Sequence, residues 1–137
     1  MDAAVQPVLE GVISETSGRP RNALTVDVEE YFQVAAFERT IAREQWDHSE
    51  SRVEYSTHRV LDLFAAKGVH GTFFVLGWIA ERHPALVHRI VADGHELASH
   101  GYDHTRIHQF TAEQFRADVA RTKAILEDTG GVPVRGY

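Results

Sequence analysis

Cysteine is missing from all 137 residues. Its absence removes disulfides, thiolate metal sites and thiol nucleophiles together, and leaves the redox compartment open. Basic charge is also scarce. Lys and Arg total 14 against 20 Asp and Glu, a net charge of -6. That balance gives no electrostatic footprint for nucleic acid or an anionic membrane surface. No apolar run approaches the roughly 18 to 20 residues that a bilayer span needs. Met1 to Glu15 has neither the basic nor the apolar region of a signal peptide, so a cytoplasmic location is expected. Hydrophobic content of 43% and charged content of 25% are those of an ordinary globular domain.

Histidine is plentiful by contrast, with nine in the chain. Two of them, His100 and His104, follow the short strand-like run Glu96–Ser99. A spacing of four puts both rings on one side of a helical turn or tight loop, where they can share a cation. A carboxylate and a water would complete a catalytic divalent site. The alternative is a solvated, His-rich loop. The carboxylates Asp27 and Glu29, at the end of the apolar run Ala23–Val28, favour the metal reading. Alternation along a strand points these two acids the same way and Glu30 the opposite way. Acids ending a buried strand are costly unless they are paired, bind a metal, or exit to solvent.

In chain order, residues 1–22 lack periodicity and end in the Gly, Pro and Ser-rich stretch SETSGRPRN, expected to be a flexible leader. Residues 23–137 are expected to form one domain. Ala23–Val28 predicts the first strand. Phe32, Ala35 and Ala36 give Tyr31–Gln45 a weak helical spacing. A helix with a buried stripe of Val53, Thr57, Val60, Leu61 and Phe64 follows, capped by Ser49 or Ser51 and closed by Gly68. His70–Leu76 predicts the second strand, Gly77 a turn into Trp78–Arg82, and Pro84 the start of a helix to Ala92. His95–Ser99 is the third strand. Thr111 and Gln114 form a capping box for a helix carrying Phe115, Val119, Ile125 and Leu126 and ending at Gly130-Gly131. Val134–Tyr137 predicts the beginning of a fourth strand. His95 and the helix-borne His58, His83 and His88 are expected to be solvated. Phe73, Phe74 and Trp78 are expected in the core, with Trp46 and Tyr102 as loop aromatics. Strand–helix alternation implies an α/β architecture with a parallel sheet, whose functional residues collect at the C-terminal strand ends. Four strands are too few for a closed barrel, and open edges invite oligomerisation.

Three elements in this order resemble the polysaccharide deacetylases (carbohydrate esterase family four, the NodB-homology domain). They are Thr25-Val26-Asp27-Val28-Glu29, Thr72-Phe73-Phe74-Val75, and Ser99-His100-x-x-x-His104. The run Glu29-Glu30-Tyr31-Phe32 is similar to the subgroup found beside exosortase and exopolysaccharide genes. The resemblance implies the N-terminal part of a distorted (β/α)7 barrel, truncated on its C-terminal side. It implies a hydrolase removing N-acetyl or O-acetyl groups from a polysaccharide or oligosaccharide. Asp27 would be the catalytic base, and His100 and His104 would hold a divalent metal, usually Zn2+, with Co2+, Mn2+ or Ni2+ as substitutes. The family's second aspartate is replaced here by Val28, so the ligand role passes to Glu29. Ser99 would shape the loop or hydrogen-bond behind the ligands, and Asp103 would orient a ligand or face water. The family's Arg-containing motif and its His general acid would lie beyond Tyr137. Two other readings compete. One is a Mg2+-dependent phosphotransferase with Asp27 as nucleophile; the other is an inactive fragment that binds only metal or a partner.

Overall fold

Three four-residue strands, β1 (Thr25–Val28), β2 (Thr72–Val75) and β3 (Glu96–Ser99), build one parallel sheet in the order β1-β2-β3. The structure is a computed structural model and describes residues 22–137. The expected leader thus lies outside the described residues, apart from Asn22. Register aligns Val28 with Val75 and Val75 with Ser99, so the three strands end level. Whatever follows each strand therefore meets on one rim. This is the α/β arrangement anticipated for the front of a (β/α) barrel.

Helices α1 (Val53–Lys67), α2 (Gly77–Arg82), α3 (Pro84–Ala92) and α4 (Ala112–Gly130) flank the sheet. α1 buries Val53, Thr57 and Leu61 and ends at Gly68, whose φ is +63°. α3 begins with Pro84 as expected. α4 carries both capping-box hydrogen bonds, Thr111 N–H to Gln114 Oε1 (2.8 Å) and Gln114 N–H to Thr111 Oγ1 (3.2 Å). Of its expected apolar stripe only Leu126 is fully buried, joined by Thr122. The core gathers Phe32, Leu61, Phe73, Leu76, Ile79, Leu86, Ile90 and Leu126 between sheet and helices. Trp78 is buried with it, and Phe74 is partly buried.

Four expectations need correction. Tyr31–Gln45 is not an α-helix; it is a series of short 3-10 turns, Tyr31–Gln33, Ala35–Phe37 and Arg43–His48. Val34 and Ala42, in extended conformation between the turns, break the helical run. Neither Ser49 nor Ser51 caps α1. Ser51 Oγ instead donates to Glu30, whose carboxylate also accepts the Arg52 and Val53 N–H groups at 3.0 to 3.3 Å. Val134–Tyr137 is not a strand, having one main-chain rung to β3, Ser99 N–H to Gly136 O at 2.9 Å. His95 is buried, its ring 4.8 Å from that of Phe73 and its Nδ1 accepting the Gly71 N–H at 3.3 Å.

Candidate functional site

The level strand ends bring the early acids and the paired imidazoles together. Glu29 follows β1 directly and His100 follows β3. Glu29 Oε2 lies 3.2 Å from His104 Nε2 and 3.6 Å from His100 Nε2. The two imidazole rings sit 5.2 Å apart, centroid to centroid. Asp27, one residue before the end of β1, places Oδ2 4.0 Å from His100 Nε2. Its side chain is 55% exposed, against 17% for Glu29. Glu30 points the opposite way, into the cap of α1 described above. Alternation along the strand thus separates a structural acid from two acids on the rim.

One ligand atom from each of Glu29, His100 and His104 can be chosen so that all lie within 4.8 Å of one another. Glu29 Oε2 and His100 Nε2 are both buried and lack a hydrogen-bond partner. The contacts between acid and rings are close enough to attract but are not aligned as hydrogen bonds. An orphaned buried polar atom costs about 1–3 kcal/mol, and a cation among these atoms would satisfy both. Two imidazoles and a carboxylate are also a donor set suited to Zn2+ and other first-row divalent ions. The residues present therefore fit a divalent metal. The Glu29 carboxylate facing His100 raises that imidazole's pKa above its usual value, against the effect of burial, with Asp27 adding to the rise.

The segment 100–104 is a loop rather than a helical turn. Gly101, with φ at +79°, and His104, at +65°, both occupy the left-handed region. For His104 this conformation is uncommon and has to be held by its surroundings. Main-chain contacts supply the hold. Gly77 N–H donates to Gly101 O (3.0 Å), Trp78 N–H to Tyr102 O (2.8 Å), and His100 N–H to Val75 O (3.1 Å). From α4, Asp118 accepts the Tyr102 N–H at 3.2 Å. Burial raises the Asp118 carboxyl's pKa, and this hydrogen bond opposes the rise. Ser99 Oγ accepts the Gly101 N–H at 3.3 Å, a loop-shaping contact. Asp103 accepts from Thr105 N–H (3.2 Å) and Thr105 Oγ1 (2.6 Å) and pairs with Arg43, so its hydrogen bonds go to the loop and not to either imidazole. Tyr102 donates its hydroxyl to Glu81 at 2.7 Å and lies under the Arg121 guanidinium. Neither Asp118 nor Arg43 was readable as part of this site, because each reaches it through a contact distant in sequence and neither sits in a local motif.

Residues 45–137 match the family model described as Polysaccharide deacetylase. The chain belongs to the polysaccharide deacetylase family. The matched residues include His100 and His104; Asp27 and Glu29 precede them. Among relatives of this deacetylase-family chain, a peptidoglycan-N-acetylglucosamine deacetylase of Bacillus cereus is 33% identical over 75 residues, which is 55% of the chain and 27% of that protein. A chitooligosaccharide deacetylase of Rhizobium leguminosarum bv. trifolii is 35% identical over 72 residues, 53% of the chain and 34% of that protein. The chain thus spans only about a third or less of the length of these relatives. Among solved structures, the Xyl-CE4 domain of a multidomain xylanase from the hindgut metagenome of Trinervitermes trinervoides superposes with a TM-score of 0.60 at 26% identity, covering 82% of the chain and 44% of that domain. Among the described residues no helix is long and apolar enough to cross a membrane.

Proposed function

We propose that the chain is the front portion of a metal-dependent deacetylase that hydrolyses acetyl groups on a polysaccharide or oligosaccharide. The observation that carries the reading is the convergence of Glu29, His100 and His104 within a few ångströms, with Asp27 beside them. In this reading Glu29, His100 and His104 hold a divalent cation, Zn2+ first among the candidates. A cation bound there supplies Lewis acidity, favouring deprotonation of a water and polarisation of an acetyl carbonyl. Asp27, exposed at the rim, takes the proton from the attacking water as the general base. The bond from the acetyl carbonyl carbon to the sugar nitrogen (or oxygen, for an ester) then breaks, acetate departs, and the amine or hydroxyl left on the sugar takes up the proton that Asp27 removed from the water. Ser99 and Asp118 keep the loop in place while this happens. The names of the relatives support an N-acetylated glucosamine polymer as substrate class, and the Glu29-Glu30-Tyr31-Phe32 run supports a role in exopolysaccharide production. The phosphotransferase alternative is not favoured, because it leaves the paired imidazoles facing Glu29 without a role. Domain limits of 23–137 and self-association through open sheet edges belong to the same reading.

The test is metal content of the purified chain beside a His100→Ala, His104→Ala double variant. One equivalent of divalent metal is expected in the former and a trace in the latter. Equal content in both would overturn the metal centre. Acetate release from N-acetylglucosamine oligomers, measured on the same samples, separates a working enzyme from a fragment that only binds metal.

A further inference from the structure

The bonds described above fasten His100, Gly101 and Tyr102, and the turn at His104 lies beyond them. That turn needs a hold of its own. His104 has φ at +65°, in the left-handed region where a residue with a Cβ is strained. Asp103 supplies the hold. Its Oδ1 accepts from Thr105 N–H at 3.2 Å and from Thr105 Oγ1 at 2.6 Å, which closes a side-chain turn around the His104 backbone. The pose that brings the His104 ring to Glu29 therefore depends on where the Asp103 carboxylate sits.

The carboxylate does not stay there unaided. Its side chain is only 15% exposed, and an acid so far removed from water needs a counter-charge. Asp118 lies across the loop as a like charge: burial raises its carboxyl's pKa, and Asp103 adds to the rise. Arg43 offsets both effects. Its Nη1 pairs with Asp103 Oδ2, the oxygen that Thr105 does not use. Arg43 is itself fixed, since it opens the 3-10 turn Arg43–His48 and its guanidinium lies 4.8 Å from the Trp46 ring centroid. The nearby Arg106–Glu38 pair, at 2.8 Å, is of another kind, its side chains being 43% and 58% exposed. Exposed pairs of that sort contribute little. The tie from Arg43 to His104 instead runs through one nearly buried carboxylate.

We infer that Arg43 is a positioning residue for the metal centre: by fixing Asp103 it keeps the His104 backbone left-handed and the ring turned towards Glu29. It acts through Asp103 and does not bind the cation. The inference rests on the metal-dependent deacetylase reading for what the pose is used for, while the hold on the turn is measured separately from it.

Three measurements on the full chain test this. Zn2+ affinity, by competition with a chelating indicator, should fall about tenfold in Arg43→Ala, the scale on which a left-handed residue loses its hold and on which groups behind metal ligands act. The absorption spectrum of the Co2+-loaded protein should change with it, because the ligand field follows the pose of His104. In metal-free protein, hydrogen exchange at the Thr105 amide should quicken about tenfold as well. Arg43→Lys, which keeps the charge, should restore most of the affinity. Arg43→Ala made on top of Asp103→Asn, which retains an acceptor for Thr105 but has no charge to offset, should cost little more than Asp103→Asn alone. Arg106→Ala should leave all three measurements near the parent's, and a cooperative urea transition shows that each variant folds. The inference is overturned if Arg43→Ala keeps the parent's affinity and the parent's Thr105 exchange. It is equally overturned if Arg106→Ala weakens Zn2+ binding as much as Arg43→Ala, since the effect would then not pass through Asp103. A parent chain that takes up no metal would sink the deacetylase reading by itself, and the Thr105 amide in Arg43→Ala would still decide whether Arg43 holds the turn.

Discussion

Replacing Glu30 by alanine tests how the strand end is anchored. The side chain is 1% exposed, and its carboxylate accepts from Ser51 Oγ and from the main-chain N–H groups of Arg52 and Val53. It thus caps α1 from a strand more than twenty residues upstream, bringing a negative charge to the positive end of the helix dipole. An ordinary exposed cap is worth about 0.5–2 kcal/mol. Hydrogen bonds to a charged acceptor contribute about 1.5–3 kcal/mol each and are not additive. Removing this acceptor also strands the buried Val53 N–H and two part-buried donors, Arg52 N–H and Ser51 Oγ, so Glu30→Ala should cost about 3–5 kcal/mol, near the range for breaking a buried polar network. For a domain of this size the thermal midpoint should fall by roughly 10–30 °C. Glu30→Gln, which keeps an acceptor and loses the charge, should fall between parent and alanine variant. Urea denaturation gives the free energies, and hydrogen exchange at the Arg52 and Val53 amides should quicken before the rest of the sheet opens. A Glu30→Ala protein within about 1 kcal/mol of the parent, with an unchanged denaturant slope, would refute the cap as the anchor.

Gly101→Ala puts a Cβ on a residue with φ at +79°, 3.3 Å from Asp118 Oδ2. We expect a loss of about 1–2 kcal/mol from the backbone alone, with weaker metal binding as the imidazole loop shifts; unaltered metal affinity by competition with a chelator would contradict this. Added Zn2+ at about 100 times its Kd should stabilise the parent by about 2.7 kcal/mol and leave His104→Ala unmoved, as read by thermal shift. His95 supplies a pH dependence. Burial, with His70 beside it, lowers its pKa below 6.5, and Asp93 opposes the shift. The folded state thus favours neutral His95, so its contribution is complete above pH 6.5 and is lost as the pH falls through the lowered value. His95→Gln should flatten the decline in stability between pH 7 and 5; an unchanged slope would rule His95 out as its source.

Much of the scaffold was legible because its signals are local. Pro84, Gly68 and the Thr111–Gln114 capping box each mark a helix boundary through contacts within one turn, and each boundary falls where expected. The β-branched and aromatic runs gave the three strands for the same reason. Segment 31–45 imitates a helix because Phe32, Ala35 and Ala36 fall at helical spacing, while Val34 and Ala42 adopt extended backbone between turns. At the rim, alternation along β1 told Glu29 from Glu30, and the sequence spacing of four paired His100 with His104. What holds the loop was hidden: Asp118 and Arg43 act on it through contacts that no local pattern records.

The grip on the imidazole loop falls chiefly on peptide groups, with α2 amides on two of its carbonyls and Asp118 on one of its N–H groups. Side chains that project from this loop, such as those of Tyr102 and Thr105, add ties of their own to Glu81 and Asp103, but the α2 amides hold the loop's carbonyls without them. A lineage or a designer could vary these side chains to alter what the rim receives at the cost of those ties, with the main-chain hold retained. Gly101 is the position where that freedom ends.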